Sequence, residues 1–201
     1  MLAWAAARDA ALRGLVHALS NRAGTVAAVA GMLEGDAPAA SVVTAARVLG
    51  GEGERLDALL AHLRLVSADP FGADAAPEPL HPAELAAEVA ALAVAAGWEV
   101  TAAPAAAGDA LPAFARRAGA AHVLLVLAHA AEAAAGAPVT VRCASDAGTP
   151  VIRVVPESDP HGGARVPALS PAARAACVWL VGPDAIGADP GVLRLPPLAP
   201  T

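Results

Sequence analysis

Two runs of aliphatic residues at seven-residue spacing, separated by a short break, constrain the fold of this chain most. A further apolar residue follows three places after several of these positions, a pattern typical of helices that pack side by side. Gly35 and Pro38 lie between the runs and interrupt the helix. The pattern therefore predicts a helical hairpin over residues 1–68, with its first helix over residues 2–33. The repeating positions are Leu12, Leu19, Val26 and Leu33 in the first run, and Val42, Leu49, Leu56 and Leu63 in the second.

A single hairpin leaves part of these two apolar stripes uncovered. Two helices bury one side of each other, whereas a four-helix bundle buries the remaining sides in one shared core. The simplest source of the second pair of helices is a second copy of the same chain. We therefore expect a homodimer in which two hairpins form a four-helix bundle.

His17 lies outside both stripes. At 100° per residue it falls about 140° from the direction of Leu12, on the side of the helix away from the seam. The register thus predicts an imidazole that faces solvent. A solvent-facing histidine is most often an ordinary surface residue, so its neighbours decide whether it carries chemistry.

The second half of the chain predicts an α/β unit over residues 78–201. Residues 67–82 are rich in proline and acidic residues and predict a connector. Pro82 then opens a helix, and helical and β-type patterns alternate in the order helix, strand, helix, β-hairpin, helix, strand. The second of these helices is predicted over residues 112–135. This order favours helices layered on one mixed sheet, so the whole chain is expected to be α+β.

Composition excludes several classes of function. The net charge is −6 and aromatic residues make up 2% of the chain, which disfavours nucleic-acid binding. No segment is predicted to span a membrane, and charged residues near the start interrupt the apolar core that a signal peptide requires. We therefore expect a cytoplasmic protein with no membrane partner. The histidines and cysteines have no metal-ligand spacing, so no metal site is expected.

Residues 15–21, Leu-Val-His-Ala-Leu-Ser-Asn, resemble the phosphoacceptor box of bacterial histidine kinases and histidine phosphotransferases. That family carries its reactive histidine on the first helix of a dimeric four-helix bundle. Ala18 departs from the pattern, because relatives have Asp or Glu there, and Ala23 lies near a frequent proline. The resemblance implies that His17 is the phosphoacceptor. It also implies a surface on which a receiver domain docks, formed by Arg13, Ser20, Asn21 and Gly24.

The α/β unit resembles the ATP-binding (GHKL-type) domain of histidine kinases in its predicted order of elements. Residues 122–133 follow the spacing of the family's N-box, but Leu125 and His129 stand where relatives have two asparagines. In the glycine box only Asp159 and Gly163 remain. The resemblance therefore implies a degenerate domain that holds no nucleotide and needs no cofactor of its own.

A kinase-like bundle followed by a degenerate nucleotide domain implies a histidine phosphotransferase. Such a protein passes a phosphoryl group between receiver aspartates in a two-component phosphorelay, with Mg²⁺ supplied by the receiver. Its partners would be response-regulator receiver domains or a hybrid histidine kinase. Two alternatives stay open: a non-catalytic pseudokinase that binds a receiver or kinase as an adaptor or inhibitor, and an active ATP-dependent sensor kinase core.

Overall fold

The computed structural model describes residues 2–33, 38–70, 76–106, 111–157 and 166–198. The chain is α+β, with an N-terminal helical hairpin followed by strands and three further helices, as the sequence predicts. The helices are α1 (Leu2–Gly31), α2 (Ala39–Ser67), α3 (Pro82–Ala95), α4 (Arg117–Ala135) and α5 (Pro171–Val181). The strands are β1 (Glu78–Leu80), β2 (Val100–Ala102), β3 (Ala113–Ala115), β4 (Val139–Asp146), β5 (Thr149–Pro156) and β6 (Val192–Arg194).

The two helices of the hairpin pack along each other through one face of α2. The buried residues of α2 are Ala45, Glu52, Leu59 and Val66, which recur every seven residues. The neighbouring repeat at Leu49, Leu56 and Leu63 is only half-buried, and Val42 is exposed. The hairpin thus covers one stripe and leaves the other partly open to solvent.

The first half of α1 and the second half of α2 belong to the same hydrophobic core as the α/β unit. Ala7, Ala11 and Leu15 are the fully buried residues of α1, and their four-residue spacing marks the face that lies on α3 and α4. Leu15 and Leu59 join one continuous apolar cluster with residues of the α/β unit. Among the described residues of α1, none after Leu15 is fully buried, so the far half of α1 contributes only partly buried and exposed side chains.

The larger sheet is mixed, with strand order β2-β4-β5-β6. β2 runs parallel to β4, whereas β4, β5 and β6 pair antiparallel. Ala147 and Gly148 connect β4 and β5 with positive φ angles of 51° and 82°. That geometry is the two-residue turn that matches the natural twist of antiparallel strands. α3 and α4 cover the sheet, and α5 packs on α4.

The two short strands β1 and β3 were not predicted. They pair antiparallel, with Pro79 opposite Phe114, although residues 78–80 fall in the predicted connector and residues 113–115 in the predicted helix 112–135. The helix prediction was wrong at its start, since α4 begins at Arg117. Each strand has three residues, and their pairing joins distant segments, so no local periodicity reveals them.

α4 is the central helix of the fold. Its residues 119–128 are all buried. By length and a mean hydropathy of 1.4, α4 is the one described helix apolar enough to cross a membrane. However, 61% of its apolar window is buried inside the fold, which is the position of a core helix.

Candidate functional site

His17 lies in an open groove between α1 and the C-terminal end of α3. Its side chain is exposed, as the register predicts. The groove has a volume of about 320 Å³. The described residues that line it are Gly14, His17, Ala18, Asn21, Arg22 and Thr25 on α1, and Ala95, Ala96 and Gly97 at the end of α3.

Gly14 explains why α3 comes so close to His17. A Cβ atom built on Gly14 would lie 2.0 Å from the carbonyl oxygen of Ala96. Because backbone atoms cannot give way as a flexible side chain can, only glycine permits this approach of α1 to α3. His17, one helical turn beyond Gly14, is thereby held beside the residues that end α3.

Asn21 is the hydrogen-bond partner of His17. Its side-chain nitrogen lies 3.2 Å from Nε2 of His17, one turn along the same helix. An amide N–H only donates, so Nε2 must accept and the ring proton must reside on Nδ1. This contact selects the tautomer in which Nε2 carries the lone pair that a nucleophile needs.

Arg22 contributes positive charge to the groove and is attached to the hairpin seam. Its guanidinium lies 3.2 Å from Oε1 of Glu52. Glu52 is 3% exposed and also contacts Arg55 across 2.5 Å. One buried carboxylate therefore has two arginine partners, and the cluster carries a net positive charge.

A second groove of about 310 Å³ lies on the other side of Arg22. It is lined by Arg55 and His62 of α2 and by Val94 and Ala95 of α3, among others. Burial lowers the pKa of His62, while the nearby Glu88 carboxylate opposes that shift. Nδ1 of His62 is buried and has no hydrogen-bond partner among the described residues. Arg22 lines both this groove and the groove that contains His17.

Of the four residues predicted to dock a receiver, only Asn21 shares the groove with His17. Arg13, Ser20 and Gly24 are exposed on α1 outside the residues that line the groove. The Ser20 hydroxyl donates to the carbonyl of Val16 across 3.0 Å. These three residues form part of the solvent-facing side of α1, adjacent to the groove.

The two N-box positions do not form a site. Leu125 is buried in the core on α4. His129 stacks on Trp98, with ring centroids 4.8 Å apart, and its Nδ1 is buried without a hydrogen-bond partner in the described part of the chain. Asp159 and Gly163 lie outside the described residues. Within the described ranges, no three His, Cys, Asp or Glu side chains gather where a metal could bind.

Sequence reasoning missed Arg22 and the end of α3 as parts of the site. Arg22 had a detectable signal, because Glu52 lies on the apolar seam and a buried carboxylate requires a cationic partner from the facing helix. The end of α3 had none, since its contact with α1 joins segments far apart in the chain. Comparison of the sequence with protein-family models and with curated proteins gives no match.

Proposed function

We propose that the protein is a cytoplasmic histidine phosphotransferase of a bacterial two-component phosphorelay. It passes a phosphoryl group between receiver-domain aspartates through His17, without using ATP. The observation that carries this proposal is an exposed histidine whose Nε2 accepts a hydrogen bond from Asn21, in a groove that also contains Arg22. This combination supplies a nucleophile, a fixed tautomer and a cation for a phosphate anion.

The proposed transfer begins with an aspartyl phosphate on the receiver. The hydrogen bond from Asn21 to Nε2 breaks, and the freed lone pair attacks phosphorus in line with the bond to the aspartate oxygen. The new P–N bond forms as the P–O bond breaks, and the aspartate leaves as a free carboxylate with the bonding electrons. The His17 ring keeps its Nδ1 proton and becomes positively charged, which balances the charge that leaves with the carboxylate. The negative charge at the aspartate would be stabilised by Mg²⁺ bound to the receiver.

We further propose a homodimer through the hairpin. The half-buried repeat on α2 supports this, together with the exposed apolar side chains Val42 and Leu60 on the same side of that helix. A second hairpin packed on this face would bury them in a four-helix bundle. Sedimentation of the wild type and of a Val42→Glu, Leu60→Glu double variant tests the proposal. The wild type is expected as a dimer and the variant as a monomer.

The decisive experiment measures phosphoryl transfer. Purified protein is mixed with receiver domains from the same genome that have been phosphorylated with a small donor, and His17→Gln serves as the control. Label is expected on the wild type and not on the variant. Label on neither protein with every receiver, or equal label on both, would contradict the proposal.

A second candidate function is that of a non-catalytic adaptor that binds a receiver or a kinase. It is favoured by Ala18, which stands beside His17 where relatives carry an acidic residue. No acidic side chain lines the groove among the described residues. An adaptor would bind a receiver with the same affinity in the wild type and in His17→Gln, and would transfer no label. A nucleotide-binding measurement on the same sample separates both from an ATP-dependent kinase core.

A further inference from the structure

We propose that Arg22 is the residue that holds the phosphoryl group on His17, by exchanging its contact with Glu52 for a contact with the phosphoryl oxygens. This inference rests on the proposed function of His17. Arg22 lies outside residues 15–21, which carry the resemblance to the phosphoacceptor box. In this proposal Arg22 changes its partner from Glu52 to the phosphoryl group when His17 is phosphorylated.

The charge balance of the seam permits Arg22 to leave. Glu52 is nearly fully buried, so it requires at least one cation. Arg55 lies 2.5 Å from Oε1 of Glu52, whereas Arg22 lies at 3.2 and 3.4 Å from its two oxygens. The shorter contact remains when Arg22 departs. The carboxylate then keeps a partner, and the guanidinium of Arg22 becomes available to another anion.

The geometry of α1 places Arg22 within reach of His17. The two residues line the same groove. They are five residues apart, which is a rise of about 7.5 Å along the helix axis and a rotation of about 140° around it, so the long arginine side chain must swing across the groove to approach the imidazole. The side chain of Arg22 is 41% exposed, so nothing encloses it in its present position.

A phosphoryl group on His17 would need a cation beside it, because the end of α3 on the other side of the groove does not attract anions. The groove is closed by the C-terminal end of α3, which carries a partial negative charge of roughly half an electron. The carbonyls of Leu92, Ala93 and Val94 accept hydrogen bonds from Ala96, Trp98 and Gly97, which reduces this charge. The end of α3 nevertheless offers no donor to a phosphoryl dianion. Arg22 is the cationic side chain among the described residues that line the groove.

Phosphoramidate provides a test that needs no protein partner. Its P–N bond breaks, ammonia leaves with the electron pair, and Nε2 of His17 forms the new P–N bond while the ring retains its Nδ1 proton. The phosphorylated protein is then titrated by ³¹P NMR. A cation beside the phosphoryl group favours its dianion and lowers its second pKa.

Arg22→Met is expected to raise that phosphoryl pKa, and Arg22→Lys to restore part of the difference. Glu52→Gln is expected to lower it, because Arg22 is then released from the seam. With a receiver present, Arg22→Met should move the distribution of label about tenfold away from His17, the effect of one lost charge-assisted hydrogen bond. Arg47→Met, an exposed arginine of α2 outside the groove, is the matched control and should match the wild type.

The outcomes separate this inference from the proposed function. Identical phosphoryl pKa values in the wild type, Arg22→Met and Glu52→Gln would overturn the role of Arg22 while leaving His17 as phosphoacceptor. Failure of His17 to accept label from phosphoramidate and from every receiver would instead overturn the proposed function. Thermal unfolding of each variant shows that the comparison is made between folded proteins.

Discussion

The indole N–H of Trp4 donates to Nδ1 of His122 across 2.8 Å. The other ring nitrogen of His122, Nε2, donates to the carbonyl of Leu65 across 3.0 Å. One buried imidazole of α4 therefore binds the first helix of the hairpin through one nitrogen and the second helix through the other. Only the neutral ring with its proton on Nε2 satisfies both contacts, because a protonated Nδ1 would face the indole donor.

We expect the protein to lose stability as the pH falls below neutral. Burial, the largest cause, lowers the pKa of His122, and the Arg8 guanidinium lowers it further, whereas the hydrogen bond to Leu65 and the Asp69 carboxylate raise it. The pKa of His62 is lowered as well. Since both values lie below that of an unfolded chain, about 6.5, the unfolded chain binds more protons as the pH falls through that value. The histidine contribution is thus fully present above pH 6.5 and declines below it.

Urea unfolding at pH 7.5 and pH 5.5 measures this effect. His122→Asn retains an acceptor for Trp4 but does not titrate, so its unfolding free energy should change less between the two pH values. His122→Leu removes both hydrogen bonds and should destabilise the fold by about 1–3 kcal/mol at pH 7.5. Equal pH dependence in His122→Asn and the wild type would show that His122 does not carry the effect.

Alanine substitutions at two helical glycines should have opposite effects. Gly14→Ala brings a Cβ to within 2.0 Å of the Ala96 carbonyl and forces α1 away from α3, so we expect destabilisation by about 1–3 kcal/mol. Gly50→Ala lies in α2 with no atom within 4 Å of the added Cβ. It should stabilise the protein by up to about 1 kcal/mol through helix propensity alone. Thermal unfolding compares the two, and a stabilised Gly14→Ala would disprove the close approach.

The two arginine partners of Glu52 should behave non-additively. Arg22 and Arg55 are 41% and 59% exposed, and either one suffices to pair the carboxylate, so each single Met substitution should cost less than about 1 kcal/mol. The double substitution leaves a buried carboxylate without these cations and should cost about 3–5 kcal/mol. A double-mutant cycle by urea unfolding measures the difference. Additive single costs would mean that Glu52 relies on neither arginine.

The ring of His17 should favour one tautomer because of Asn21. The amide donates to Nε2, so the Nδ1–H form is expected to predominate in the wild type. Asn21→Ala removes the donor and should shift the ring toward the Nε2–H form that free imidazole side chains favour, with little change in stability since the contact is exposed. Long-range ¹H–¹⁵N correlation spectra distinguish the two forms. Spectra of His17 that are the same in both proteins would contradict the assignment.

The sequence predicted those features of the fold that local patterns encode. Pro82 marked the start of α3, which begins at that residue. The exposure of His17 followed from the heptad register. β1 and β3 escaped detection because their pairing depends on tertiary contacts and not on local propensity.

The surroundings of His17 were less predictable for the same reason. The register predicted one apolar stripe along the whole of α1, but Leu12, Leu19, Val26 and Leu33 are only partly buried, whereas Ala7 and Ala11 are fully buried against the α/β unit. The stacking of His129 on Trp98 and the double hydrogen bonding of His122 also required the fold. The position of His122 in an apolar run could be recognised in the sequence. Its hydrogen-bond partners, Trp4 and Leu65, could not, because they lie on helices far away in the chain.

The contact between Gly14 and Ala96 has a geometric consequence for any protein that approaches His17. The end of α3 forms one side of the groove that contains the imidazole and limits the directions from which another protein can reach it. In the proposed transfer, an aspartyl phosphate would therefore have to enter from the open side of this groove. The directions from which a partner protein can approach His17 are thus limited by Gly14, because its missing Cβ lets the end of α3 lie close to α1.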